Sequence, residues 1–113
     1  MKRRSLPVLM FVPLLFVPLL AGLAAGQARA QEAAALRARS LAASCAQCHG
    51  TDGRAVDGAV LTGLAGRPAD ELAQALKGYK SGARAGTVMP QLAKGYSDAQ
   101  IEQLAAYFAA LAP

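Results

Sequence analysis

Three stretches of this chain repeat apolar residues at helical spacing, and two long irregular segments separate them. Over residues 32–44 the spacing predicts a helix: Ala34, Ala38, Leu41 and Cys45 recur on one face, while Arg37 and Arg39 point elsewhere. A second helix is expected from Pro68, whose fixed φ suits a first helical position, with Asp70 and Glu71 complementing the helix dipole. Its stripe is Leu72, Leu76 and Tyr79, and Gly82 marks its end. The third opens on Ser97, which with Gln100 forms a capping box, and turns Ile101, Leu104, Phe108 and Leu111 to one side. Between these helices, residues 50–66 hold five glycines and no sustained period, and residues 83–96 read as irregular too. No stretch alternates with period 2 for long enough to form a strand. The prediction is an all-α fold of three main helices and two long loops. The first and last helices are expected to cross, with Leu41 against Leu104 and Phe108.

Upstream of the first helix the pattern changes. Lys2, Arg3 and Arg4 precede an uncharged apolar run over residues 6–26, and Ala28-Arg29-Ala30 supplies small residues where a signal peptidase reads them. Residues 1–30 are therefore expected to be a signal peptide, cut before Gln31, leaving residues 31–113 as the mature domain. An uncleaved membrane anchor is the competing reading, because the run is long enough to span a bilayer. Pro7, Pro13 and Pro18 and the Ala-x-Ala site favour cleavage, and with it an exported, periplasmic protein with no membrane attachment.

Charge gains its meaning only after this division. The full chain carries a formal +5, but residues 31–113 hold eight basic residues against seven acids, so a nucleic-acid partner is not expected. Those residues also contain only fifteen Leu, Ile, Val, Met and Phe side chains. A domain so small and so poor in bulky groups needs a staple, and a large apolar cofactor would provide one.

Cys45-Ala46-Gln47-Cys48-His49 is the c-type haem attachment pattern. Two thiols three residues apart can add to the two vinyl groups of one haem, and the imidazole that follows can bind the iron. A thioredoxin-like couple would want a βαβ unit, which is not visible. A zinc site would want four ligands, and the mature chain has no other Cys or His. A plain disulfide remains the third alternative. With the haem reading, Cys45 and Cys48 are the covalent attachment residues, and His49 is the first axial ligand of a single haem c iron.

Met89 is the one methionine left after residue 30, so it is the expected second axial ligand. Pro90 behind it is expected to hold its backbone extended. Lys94 or an open coordination position are the alternatives, and a gap-filling core methionine is the bland one.

These features together resemble a class I cytochrome c, over essentially all of residues 40–112: the signal segment, CAQCH near the mature start, Met89-Pro90, and a last helix running Ala-Ala-Tyr107-Phe108. Within that class, the run from Thr87 to Asp98, followed by Ile101 and Leu104, is most similar to the cytochrome subunit of flavocytochrome c sulfide dehydrogenase. The resemblance implies a small class I cytochrome c fold around one covalently bound haem. It also implies a flavoprotein subunit as the redox partner, with sulfide oxidation as the source of electrons. The family commonly has a proline two residues before Leu64-Ala-Gly66, whose carbonyl accepts a hydrogen bond from the proximal imidazole. This chain has Thr62 there, which can offer the same carbonyl. A second CxxCH is absent, which excludes the dihaem version of that subunit.

Lys77, Lys80, Arg84 and Lys94 stand between Leu72 and Ser97 with no acid among them, and read either as a docking rim for an acidic partner or as solvated surface. Arg54 and Arg67 are candidates for the haem propionates. With the one histidine engaged on iron, no imidazole is left for acid–base work, so the chain is not expected to be catalytic alone. One-electron transfer is what remains. A freely diffusing carrier to a terminal oxidase or reaction centre, and a membrane-anchored electron-transfer subunit, stay open beside the sulfide dehydrogenase reading.

Overall fold

The computed structural model describes residues 16–113, with side chains from residue 22 onward. Five α-helices follow one another: α1 (Phe16–Ala42), α2 (Ala46–His49), α3 (Ala69–Ser81), α4 (Met89–Lys94) and α5 (Asp98–Ala109). Single 3-10 turns at Ala43–Cys45 and Thr51–Gly53 flank α2, and no strand occurs among the described residues. The chain divides into two units, residues up to Ala34 and residues Ala35–Pro113. In the first, every described side chain from residue 22 to 34 is exposed.

Helix α1 begins sixteen residues before the start expected from the apolar stripe and ends at Ala42, two residues short of the expected end. Its sequence is rich in Ala and Leu, the strongest helix formers, so propensity carries the helix well beyond the amphipathic part. The stripe becomes an inward face only late: Ala34 is exposed, Ala38 and Leu41 are half-buried and Ala42 is buried. Residues 6–15 of the apolar run expected to be a signal segment or a membrane span lie outside the described residues. Among those described, no helix is long and apolar enough to cross a membrane.

The second unit is organised around α5. Ile101, Leu104, Ala105 and Phe108 are buried along one face of it, and they meet Leu72 and Ala73 of α3 and Ala42 from the end of α1. Leu41 packs against this cluster, as expected, together with Cys45 and Leu64. Three alanines among the contacts, Ala42, Ala73 and Ala105, let the helix backbones approach, and the bulky groups fill the space between. Helix α3 packs chiefly against α4 and α5, while the first helix contributes only its last turn.

The helix ends follow local chemistry. Ser97 Oγ accepts from the Gln100 amide at 3.2 Å and the Gln100 side chain accepts from the Ser97 amide at 2.8 Å, so the capping box is complete. Gly82 closes α3 in the left-handed conformation. Pro68 is the N-cap of α3 rather than its first helical residue, and its carbonyl accepts from the Leu72 amide at 3.1 Å. Leu111 lies past the end of α5 but still packs on the core.

Residues 83–96 are expected from the sequence to be irregular, but α4 forms within them. Met89 is its first residue, and the backbone of Val88 before it is already helical, so Met89 is not held extended by Pro90. At a helix start the proline's lacking N–H is one that would have no partner anyway, and its φ is right for the helix.

Candidate haem-iron centre

The 3-10 turn and α2 form almost two helical turns in succession, which brings Cys45, Cys48 and His49 to the wall of one cavity. Gly50 ends α2 at φ +82°, and a Cβ there would stand 1.9 Å from the Arg54 carbonyl oxygen, so the turn after the histidine admits glycine alone. Both cysteines are free thiols rather than a disulfide. Cys45 is half-buried and burial pushes its thiol up, against a lowering hydrogen bond from Ser44, so it stays protonated and neutral. Cys48 is exposed.

His49 Nδ1 lies 2.8 Å from the Thr62 carbonyl oxygen. A carbonyl can only accept, so Nδ1 carries the proton and Nε2 keeps its lone pair. Thr62 thus does what the family's proline carbonyl does. This is the arrangement of a metal-binding imidazole, in which the second nitrogen is fixed by a backbone acceptor.

Met89 is half-buried and lines the same cavity. Helix α4 holds it there through Ala93, which is fully buried, and through its packing on α3. Lys94, the alternative sixth ligand, is exposed at the far end of α4 and is not among the lining residues. The cavity measures about 410 Å³, and its walls are mostly apolar, with Leu64, Leu72, Leu76 and Phe108 continuous with the core.

Of the two arginines considered for the propionates, Arg67 lines the cavity and pairs with Glu71, whereas Arg54 does not line it. Arg54 Nε donates to the Ala112 carbonyl at 3.1 Å, which turns the group toward the C-terminus. Arg84 joins Arg67 at the cavity, with its guanidinium 4.9 Å from the Tyr79 ring centre. Tyr96 also lines the cavity and shares a 2.9 Å hydrogen bond with Ser44 across 52 residues of sequence. No local signal marks Arg84 or this tyrosine–serine bond, because each depends on tertiary contact.

The basic stretch from Leu72 to Ser97 is less free than its sequence reads. Lys77 pairs with Glu102, and Lys80 Nζ stands 2.7 Å from Asp98 Oδ1, so two of the four cations are answered by acids of α5. Lys77 is shifted up by the Glu102 hydrogen bond, and Asp98 is shifted down by its hydrogen bond from Lys80. Arg84 and Lys94 are the remaining cations of the stretch.

Two thiols, an imidazole fixed at one nitrogen by a backbone carbonyl, and a thioether line one apolar cavity, a donor set that suits a c-type cytochrome. The comparisons agree with that class. Residues 30–108 match the family described as cytochrome C oxidase, cbb3-type, subunit III, and the chain belongs to this family of c-type cytochromes. It is 40% identical over 72 residues to the cytochrome subunit of sulfide dehydrogenase of Chlorobaculum tepidum, an alignment covering 64% of each chain. It is 43% identical over 72 residues to the thiosulfate dehydrogenase electron acceptor of Thiomonas intermedia, covering 64% of this chain and 33% of that one. It is 41% identical over 71 residues to cytochrome c-553 of Nitratidesulfovibrio vulgaris, covering 60% of this chain and 70% of that one. The chain thus spans less than two thirds of the length of the first two relatives.

The protein is a small class I cytochrome c that carries covalently bound haem c. The residues fit the group. Unpaired thiols, an imidazole with Nδ1 already hydrogen-bonded and a thioether line one apolar space, and the chain has no other histidine or cysteine.

Proposed function

We propose that Cys45 and Cys48 hold the haem through thioether bonds, that His49 Nε2 and the Met89 sulfur are the axial pair, and that Arg67 and Arg84 are the cations available to the propionates. The haem supplies a one-electron iron couple; the chain's residues fix it, orient the imidazole and keep water from the iron. The observation that carries the axial assignment is that His49 and Met89 line the same cavity while the Thr62 carbonyl occupies the other imidazole nitrogen. A thioether ligand raises the potential of such an iron, which suits an acceptor of electrons.

In the cell, the protein is the cytochrome subunit that accepts electrons from a flavoprotein sulfide dehydrogenase. Two things support this: the identity to the Chlorobaculum tepidum subunit, and the run from Thr87 to Asp98 that carries the resemblance in sequence. The chain is exported, residues 1–30 are removed as a signal peptide, and residues 31–113 work in the periplasm without a membrane anchor. The charged start, the apolar run and Ala28-Arg29-Ala30 support cleavage.

The test is co-purification of the tagged cytochrome in high salt. A flavin-containing chain should emerge with it, and sulfide should reduce it in periplasmic extract. If neither happens, the protein is a freely diffusing carrier, the reading favoured by its coverage of 70% of cytochrome c-553. Mass measurement on the same sample should show a chain beginning at Gln31; an intact N-terminus would establish the anchored form instead.

A further inference from the structure

We propose that Tyr107 is a positioning residue for the proximal histidine: its hydrogen bond to Asp52 hangs both ends of the His49–Thr62 contact from helix α5. The inference rests on His49 being an iron ligand.

The turn after His49 is tied to α5 at its side chains. Tyr107 donates its hydroxyl hydrogen to Asp52 Oδ1 at 2.9 Å, although 55 residues separate the two. The other carboxylate oxygen faces Arg54 Nη1 at 3.7 Å, and Arg54 Nε in turn donates to the Ala112 carbonyl beyond the end of α5. Asp52 has φ +54° and ψ +28°, and it is the one residue other than glycine with positive φ among the described residues. A non-glycine backbone held in that sparsely populated region persists where surrounding contacts over-determine it, and the Asp52 hydrogen bond to Tyr107 is such a contact.

The same turn also holds the acceptor of the histidine. Gly53 is buried against Phe108, and its carbonyl accepts from the Leu64 amide at 2.7 Å and the Ala65 amide at 3.1 Å. Those two residues follow directly on Thr62 and Gly63, so the position of Gly53 sets that of the Thr62 carbonyl. The Gly66 amide closes the circuit on the Phe108 carbonyl at 2.9 Å. Between Gly53 and Thr62, Arg54 is tied to the Ala112 carbonyl just past α5, while Val56 is 75% and Val60 98% exposed. Donor and acceptor of the His49–Thr62 bond are therefore both referred to α5, and Asp52 and Tyr107 are the side-chain link.

The hydroxyl suits that task. Burial, reinforced by the neighbouring carboxylate, pushes Tyr107 up, so it remains a protonated donor. Its ring packs edge-on against Phe108 at 5.2 Å, a contact that phenylalanine would keep. Tyr107→Phe therefore removes the link with little change in packing. An imidazole whose Nδ1–H is well bonded to a carbonyl is the stronger base at Nε2, so loosening that bond weakens donation to iron.

The test compares the haem-loaded wild type with Tyr107→Phe and Asp52→Asn, following the His49 Nδ1 proton by NMR in the reduced state alongside the reduction potential. In Tyr107→Phe the proton should exchange with solvent about five-fold faster or more, the factor one hydrogen bond is worth, and the potential should rise. Asp52→Asn keeps an acceptor for the hydroxyl and a residue tolerant of positive φ, so its proton should stay slow to exchange. Unchanged exchange and potential in Tyr107→Phe, even with a lowered melting temperature, would reduce Tyr107 to a stabilising residue and overturn the inference. Absence of ring-current-shifted His49 signals in the wild type would instead overturn the ligand assignment itself.

Discussion

Residues 43–66 and the helices α3 and α5 are built on different principles. The helical part supplies nearly all of the buried side chains: Leu72 and Ala73 on α3, and Ile101, Leu104, Ala105 and Phe108 on α5. Its ends are closed by its own residues, Ser97 with Gln100 at one and Gly82 at another. The segment from Ala43 to Gly66 buries only Gly53 fully and is held by backbone hydrogen bonds at turns and by a few side-chain bonds, among them Ser44–Tyr96 and Asp52–Tyr107. It carries Cys45, Cys48 and His49, and it relies on two outside supports, the face of α5 and the haem. The difference teaches where stability and function separate: α3 and α5 form a frame that stands on apolar packing, and the attachment segment is a strap that the cofactor completes.

Phe108 belongs to both parts, so truncating it should be the most damaging change. It is 3% exposed, packs with the helical core and covers Gly53. Phe108→Ala should cost about 3–5 kcal/mol by urea denaturation of the holo protein; a change within about 0.5 kcal/mol, typical of surface substitutions, would contradict the burial.

Two glycines sharpen the comparison. A Cβ at Gly53 would meet the Phe108 ring at 2.8 Å, and φ is +73°. At Gly82 φ is +83°, but nothing lies within 4 Å. Gly82→Ala should therefore cost only the backbone term, about 1–2 kcal/mol, while Gly53→Ala adds an overpacking cost of about 1–3 kcal/mol. Equal melting temperatures for the two variants would show that the strap is not pressed on α5.

Within the frame, Ser97→Ala should cost about 1 kcal/mol through the lost capping box, with the haem spectrum unchanged. The smallest effect is expected at Asp98. Lys80 holds its carboxyl below the usual range, so its contribution is present above the unfolded pKa and is lost as pH falls through the lower folded value. The group is fully exposed, so acid titrations of wild type and Asp98→Asn should differ slightly at low salt and converge at high salt.

The frame was legible in the sequence because its signals are local. Ser97 with Gln100, the stripes of α3 and α5, and Gly82 all act within a few residues, and all were found in place. Helix α4 was missed, being six residues long and without a side-chain cap, too short for a period to show; Pro90 after Met89 was the available signal. The extent of α1 was missed because propensity, rather than an apolar face, sustains it. In the site, the spacing of Cys45, Cys48 and His49 was plain, and Thr62 offered its carbonyl to the histidine as foreseen. The pairing of Lys77 and Lys80 with α5, the turning away of Arg54 and the Asp52–Tyr107 bond were not legible, since each joins residues far apart in sequence.

The central proposal is that His49 and Met89 are the axial ligands of the one covalent haem. The visible spectrum of the oxidised protein tests it most directly. The wild type should show the sulfur–iron charge-transfer band at the red end, and Met89→Ala should lose the band while keeping its haem through acid–acetone extraction. A band that survives in Met89→Ala would contradict the account.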